Sequence, residues 1–141
     1  MSRSEARVSV FNTTKETLLA SKVEVADSLL SRLVGLLGRR ALEPGSGLWI
    51  FPGNAIHSIG MLFTIDVVLI DKDFKVVGLR DLVHPFSVTL PDFRAESLLE
   101  LPAHTISRSR TEVGDQLKIE PYEPGQELRQ ARVECKSEFN P

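Results

Sequence analysis

The stretch Leu62-Phe63-Thr64-Ile65-Asp66-Val67-Val68-Leu69-Ile70, followed by Asp71-Lys72-Asp73 and then Lys75-Val76-Val77-Gly78-Leu79, decides the fold class. Successive side chains of a strand point to opposite faces. Phe63, Ile65, Val67 and Leu69 therefore make one unbroken apolar face. Leu62, Thr64, Asp66, Val68 and Ile70 make the other, interrupted by a single carboxylate. The polar Asp-Lys-Asp turn reverses the chain, so the two segments read as a hairpin.

The same period recurs outward from this hairpin. Residues 7–12 alternate, with Val8, Val10 and Asn12 on one face. Asn12-Thr13-Thr14-Lys15 carries turn chemistry, and Leu19, Val23 and Val25 resume the pattern as a second hairpin. Leu48-Trp49-Ile50-Phe51 is a compact apolar strand ended by Pro52-Gly53-Asn54. Residues 97–101 fit either a helix beginning near Asp92 or a strand with Ser97, Leu99 and Leu101 inward. The strand is preferred, because Pro102 ends it and its neighbours are strands. Val113-Gly114-Asp115 is a tight turn before a closing strand at 116–120. One segment changes period. Ala26, Leu29, Leu30, Leu33, Val34 and Leu37 follow helical spacing, with Asp27 or Ser28 as N-cap and Gly38 as C-cap. The expected fold is mainly β, a compact sandwich or barrel with one principal helix near residues 27–37. Residues 81–96 read as irregular, and the basic run Ser107-Arg108-Ser109-Arg110-Thr111 reads as a solvated loop.

A length of 141 residues favours one domain, long enough to bury about two-thirds of its surface. Residues 1–120 are expected to form it. Residues 121–141, with Pro124-Gly125 and scattered Leu128, Val133 and Phe139, read as a loosely held or disordered tail. Lys plus Arg is 17 and Asp plus Glu is 19, a balance without the basic excess of a nucleic-acid binder. Cys135 is the single cysteine, which excludes an intramolecular disulfide and any Cys-rich zinc module. No apolar run exceeds four residues, so no membrane span is expected. The charged N-terminus lacks the apolar run of a secretory signal, and a cytoplasmic location is the expectation.

His57, Met61 and Asp66 carry the most chemistry. His57 can exchange protons near neutrality. Asp66 interrupts an apolar strand, so it must be paired or hydrogen-bonded. It could orient His57 as the acid of a catalytic triad does, pair with Arg32 through a bidentate contact, or bond backbone amides and hold the fold. Glu100 and Asp115 could line a pocket, or be a strand-edge carboxylate and a turn former. Met61 reads first as core filler. No nucleophile elbow, phosphate loop or dinucleotide fingerprint is present. His57, His84 and His104 lack metal-ligand spacing, and Asp71-x-Asp73 lacks the glycine and glutamate of a calcium loop. No metal and no cofactor is expected.

The run from Pro52 through His57, Met61 and Asp66 to Asp71 resembles the signature of a small prokaryotic family, domain of unknown function 192. Arg32-Leu-Val-Gly35-Leu36 resembles the family's Arg-x-x-Gly-Leu helix. Leu98-Leu-Glu100-Leu-Pro-Ala resembles its Leu-Glu-Leu-x-Ala segment, and Gly114-Asp115 its closing turn. The resemblance spans roughly residues 20–120. It implies a β fold of jelly-roll type with a short helix packed on it, and no established activity. Gly53 stands where relatives often carry Cys. Phe74 stands where the hairpin turn often has Gly, which predicts a turn of another type. His104 stands where Gly often follows Leu-Pro-Ala.

Three functions compete. A ligand- or partner-binding module needs no nucleophile and could take a small ligand or a peptide around Arg32, His57, Met61, Asp66 and Glu100. An enzyme would use His57 and Asp66 as an acid–base pair. A structural or assembly accessory would bury both in backbone hydrogen bonds. The ligand, the oligomeric state and the role of the tail are not specified by any of these residues.

Overall fold

Alternating apolar segments can satisfy their backbones only by pairing, and here they pair into one curled sheet. The computed structural model describes residues 7–26, 42–51, 53, 63–85 and 90–125. The strands are β1 (Arg7–Asn12), β2 (Thr17–Ala26), β3 (Ser46–Ile50), β4 (Ile65–Ile70), β5 (Val76–Val83), β6 (Ser97–Pro102) and β7 (Leu117–Pro121). A short helix, α1 (Thr105–Ser109), stands between β6 and β7. The spatial order is β5-β4-β6-β3-β2-β1-β7. Every pairing is antiparallel except β2 with β3, which is parallel.

The sheet curls into a half-barrel. Its two outer strands meet at one end, where Lys75 bridges Gln116. There Val76 N donates to Asp115 O at 2.9 Å, Leu117 N to Phe74 O at 2.9 Å and Gly114 N to Val76 O at 2.8 Å. These bonds satisfy edge groups that would otherwise stay unpaired.

Curling gives the sheet two unequal faces. Val10, Leu19, Val23, Val68, Ile70, Val76, Leu99, Leu101 and Leu117 form one buried cluster. These residues come from both ends of the sheet, so the cluster fills the concave side. Leu42, Leu48, Ile50, Ile65, Val67, Leu69, Val83 and Leu98 form a second cluster on the convex side of β3 to β6. The face of Phe63, Ile65, Val67 and Leu69 therefore looks outward, and the face that includes Asp66 looks into the barrel. Each fully buried aliphatic side chain contributes about 1.5–3 kcal/mol.

The expected strands form, with shifted bounds: β4 begins at Ile65 rather than Leu62, and β3 runs Ser46–Ile50 and leaves out Phe51. In β6, Leu99 and Leu101 point inward. The helix near residues 27–37 lies outside the described residues, as do residues 126–141 of the expected tail. Pro121 itself belongs to β7, and Tyr122 N donates to Arg7 O at 3.0 Å. Two local expectations are corrected. Residues 81–83, read as irregular, continue β5. The basic run at 107–111, read as a solvated loop, begins inside α1 and buries Ser109 and Thr111. The hydroxyls of Ser109 and Thr111 turn inward because each finds a partner. Ser109 Oγ donates to Thr105 O at 2.7 Å and shares a 2.7 Å bond with Thr111 Oγ1.

The turn at Phe74 is also unlike the expectation. Phe74 takes φ +61°, the left-handed conformation that glycine favours. Asp71 Oδ1 holds the turn by accepting from the backbone N–H groups of Asp73 and Lys75, both at 2.9 Å. The Phe74 ring meets Trp49 edge-on at 6.1 Å, a contact a glycine could not make.

Asp115 fastens this closed end. Its Oδ2 accepts from Asn12 Nδ2 at 2.8 Å and from Glu112 N at 3.0 Å. Its Oδ1 meets Lys15 Nζ at 3.1 Å. Burial pushes its carboxyl up, but these three donors together hold it below the usual carboxylate range. A lowered folded pKa stabilises above the unfolded value and is lost as pH falls through the folded one. We expect Asp115→Ala to strand the buried Asn12 amide and cost about 2–4 kcal/mol. Chemical denaturation should also register a smaller loss of stability below pH 4 in the variant than in the parent. An unchanged midpoint would remove Asp115 from the closure.

Candidate functional site

Asp66 and Glu100 are the two buried carboxyls of the central strands, and the register between those strands separates them. On β4 and β6, Asp66 lies opposite Leu101 and Val67 lies opposite Glu100. Partners across a ladder share a face. Asp66 therefore points into the barrel with Leu101, and Glu100 points to the convex side with Val67. They do not belong to one site.

Asp66 is fully buried, and its hydrogen bonds are those of a structural carboxylate. Oδ1 accepts from Leu82 N at 3.0 Å and Oδ2 from Ile106 N at 2.8 Å. Both donors need such a partner. Leu82 sits at φ +52°, a left-handed conformation costing about 1–2 kcal/mol for a residue with a Cβ. Ile106 is the second residue of α1, whose N-cap, His104, offers no side-chain acceptor. Asp66 supplies from a distant strand the oxygen that a Ser or Asp N-cap would supply locally. It thus ties the far end of β5 and the start of α1 to β4. Arg108 Nη2 donates to Leu19 O at 3.4 Å, and Thr17 Oγ1 donates to Ser109 O at 3.0 Å, which joins α1 to β2.

Glu100 has the opposite character. It is 4% exposed, sits between Leu48 of β3 and Val67 of β4, and shares its face with the aliphatic convex cluster. Its Oε2 is buried without a hydrogen-bond partner. Burial alone pushes its carboxyl up from 4.5 to about 8. The strands hold it there closely. A Cβ on Gly47 would come within 2.9 Å of Leu101 Cδ2 and 3.0 Å of Glu100 O, so glycine lets β3 approach β6. A buried polar atom in a native fold normally has a partner, so this orphan oxygen is an exception to the rule.

Among the candidates read from the sequence, Asp66 and Glu100 are described. Arg32, His57 and Met61 lie outside the described residues. His84 Nδ1 lies 3.4 Å from Thr64 Oγ1, and His104 takes φ +73° at the start of α1, the conformation of the glycine it replaces. Among the described residues no three His, Cys, Asp or Glu side chains are grouped to hold a metal ion. Among them, too, no helix is long and apolar enough to cross a membrane. The network of Asn12, Thr111 and Asp115 was not foreseen as a unit. Asn12 lies 99 and 103 residues from Thr111 and Asp115, and no local pattern links it to them.

The DUF192 family model, described as an uncharacterized ACR, matches residues 10–119. A UPF0127 protein of Pyrococcus horikoshii is 30% identical over 115 residues, covering 77% of this chain and 96% of its own length. A UPF0127 protein of Pyrococcus abyssi is likewise 30% identical over 115 residues, covering 77% and 95%. Among solved structures, a Sinorhizobium meliloti 1021 protein, provisionally described as a transcription regulator, superposes with a TM-score of 0.70. It has 22% identity over 84% of this chain and 95% of its own. At that identity it shares the fold.

Two outcomes follow from the carboxyls. Asp66→Asn keeps one acceptor and turns an NH2 group toward the other backbone donor. It should cost about 2–4 kcal/mol and speed amide exchange at Leu82 and Ile106 well beyond the global rate. Equal protection of those amides in both proteins would refute the tie. For Glu100 the unfolded chain ionises near 4.5, whereas the folded chain keeps its proton to about 8. Stability is therefore fully present below 4.5 and falls as pH rises toward 8, by about 1.4 kcal/mol per unit at the steepest. Glu100→Gln, which stays neutral, should flatten that decline in a pH series of denaturant midpoints. A decline of the same size in the variant would assign it to another group.

Proposed function

The chain belongs to the DUF192 family, and from that premise we propose that it is a small-ligand-binding β module whose polar anchor is Glu100 on the convex face. The single observation that carries this reading is the unpartnered Oε2 of a carboxyl that is almost wholly buried among aliphatic side chains. Small-molecule sites combine apolar lining with a few placed polar groups, and this face supplies both. An orphan carboxyl costs stability, and replacing it with a well-packed apolar residue would relieve that cost. A ligand that completes its hydrogen bonds gives the group a use.

Asp66 fits this reading as scaffold. Both of its oxygens are engaged by backbone donors, so its role here is to set strand and helix positions. The catalytic alternative with His57 gains nothing from that geometry.

The test is a thermal-shift screen with six-carbon alkyl probes carrying neutral, cationic or anionic heads. At millimolar concentration at least one probe should raise the parent's melting temperature by about 2 °C or more. The same probe should leave Glu100→Leu unmoved, since that variant fills the face with an apolar side chain. If no probe moves the parent, or if both proteins shift equally, Glu100 does not anchor a ligand.

A further inference from the structure

A sheet that curls without closing keeps two edge strands, and an edge strand offers its outward backbone groups to any other strand. Lys75 and Gln116 bring the edges β5 and β7 together at one end, and β5 runs on beyond them. The direction of each peptide follows from alternation along an antiparallel pair. Asp71 N donates to Lys75 O at 3.0 Å, so Leu69 and Val67 also turn their backbones toward β5, where Gly78 and Arg80 are their partners. Val76 and Leu79 therefore face away from β4. Val77 is the extra residue of a bulge between the pairs Ile70–Val76 and Leu69–Gly78.

Three carbonyls along this edge are capped. Val76 O accepts from Gly114 N at 2.8 Å. Val77 O accepts from Arg94 Nη2 at 3.0 Å, and Leu79 O accepts from Arg80 Nη1 at 2.9 Å. Asp92 holds Arg94 over the strand, its Oδ2 accepting from Nη2 at 2.7 Å and its Oδ1 from Nε at 3.0 Å. A Cβ on Gly78 would come within 3.3 Å of Asp92 Oδ2 and 3.4 Å of Arg80 Nη1, so the glycine gives both side chains room to cross β5. The Arg94 side chain is 69% exposed, and an ion pair so exposed adds little stability. What its position does is occupy a carbonyl that another strand would need. β7 is protected by other means. Leu117 N donates to Phe74 O, Leu117 O accepts from Gln116 Nε2, and Pro121 has no N–H to give.

We propose that Arg80 and Arg94 guard the β5 edge, and that the strand they exclude is β5 of a second copy of this chain. The geometry suits a two-fold pair. No described group accepts from Leu79 N–H, so without Arg80 this residue presents one donor and one acceptor. Antiparallel pairing that sets Leu79 opposite its counterpart in the second copy satisfies both groups in both chains. Removing Arg94 frees Val77 O, which adds a further acceptor to the same ladder.

Sedimentation velocity over a concentration series, on the full chain and on Arg80→Ala/Arg94→Ala, tests the assignment. The double variant should self-associate about tenfold or more tightly than the parent, as two or more added backbone hydrogen bonds would give. The substitutions take the net charge from −2 to −4, which opposes association, so a gain is assigned to the edge. In the associated form the Leu79 amide should exchange about tenfold or more slowly. Adding Leu79→Pro, which removes that outward N–H, should restore the parent's behaviour. Should the double variant not fold, Arg94→Ala alone decides, and it too should associate more tightly than the parent. Association equal to the parent's in a folded variant, association that survives Leu79→Pro, or an unchanged Leu79 amide in the associated form overturns the proposal.

Discussion

The register of β4 on β6 governs the rest of this molecule. Asp66 stands opposite Leu101 and Val67 opposite Glu100. A slip of one residue would turn every side chain of a strand to the other face. In β6 it would bring the orphan carboxyl into the barrel, and in β4 it would take the structural carboxylate out of it. The register is held from both sides, by the apolar clusters that each face buries and by Gly47, whose missing Cβ lets β3 lie against β6. With it in place, two carboxyls one ladder step apart in register acquire unrelated chemistry.

Asp66 and Glu100 illustrate how partners decide what a buried acid does. Asp66 accepts from two backbone donors, one at a left-handed residue and one in the first turn of α1. It exchanges hydration for two bonds that the fold itself requires. Among the described residues, Glu100 has Leu48 and Val67 as its ladder neighbours, whose side chains offer no donor, and its Oε2 has no partner. It is left with desolvation alone, and the proton is retained as a consequence. The first arrangement buttresses the barrel's interior, and the second leaves a polar atom without a task inside the folded chain.

The same contrast accounts for what was legible beforehand. The strands could be read because alternation is local, and Ser97, Leu99 and Leu101 pointed inward as their pattern demanded. The need for Asp66 to be bonded could be read too, since a carboxylate amid Ile65, Val67 and Val68 has to find donors. Which donors they were could not, because Leu82 and Ile106 are 16 and 40 residues away. The helix at 105–109 was hidden for a related reason. Its five residues carry no helical stripe, and its N-cap acceptor belongs to another strand.

By itself the sequence determined the β class, the faces of its strands and the presence of acids within them, because side-chain period and burial preference are properties of adjacent residues. Tertiary structure alone decided that the two sheet edges meet at Lys75 and Gln116, that Phe74 and His104 take glycine's conformation, and that Asp66 is satisfied while Glu100 is not. Those outcomes depend on which distant backbone groups arrive beside a side chain. That is fixed by strand order and curvature, quantities to which no short stretch of residues has access.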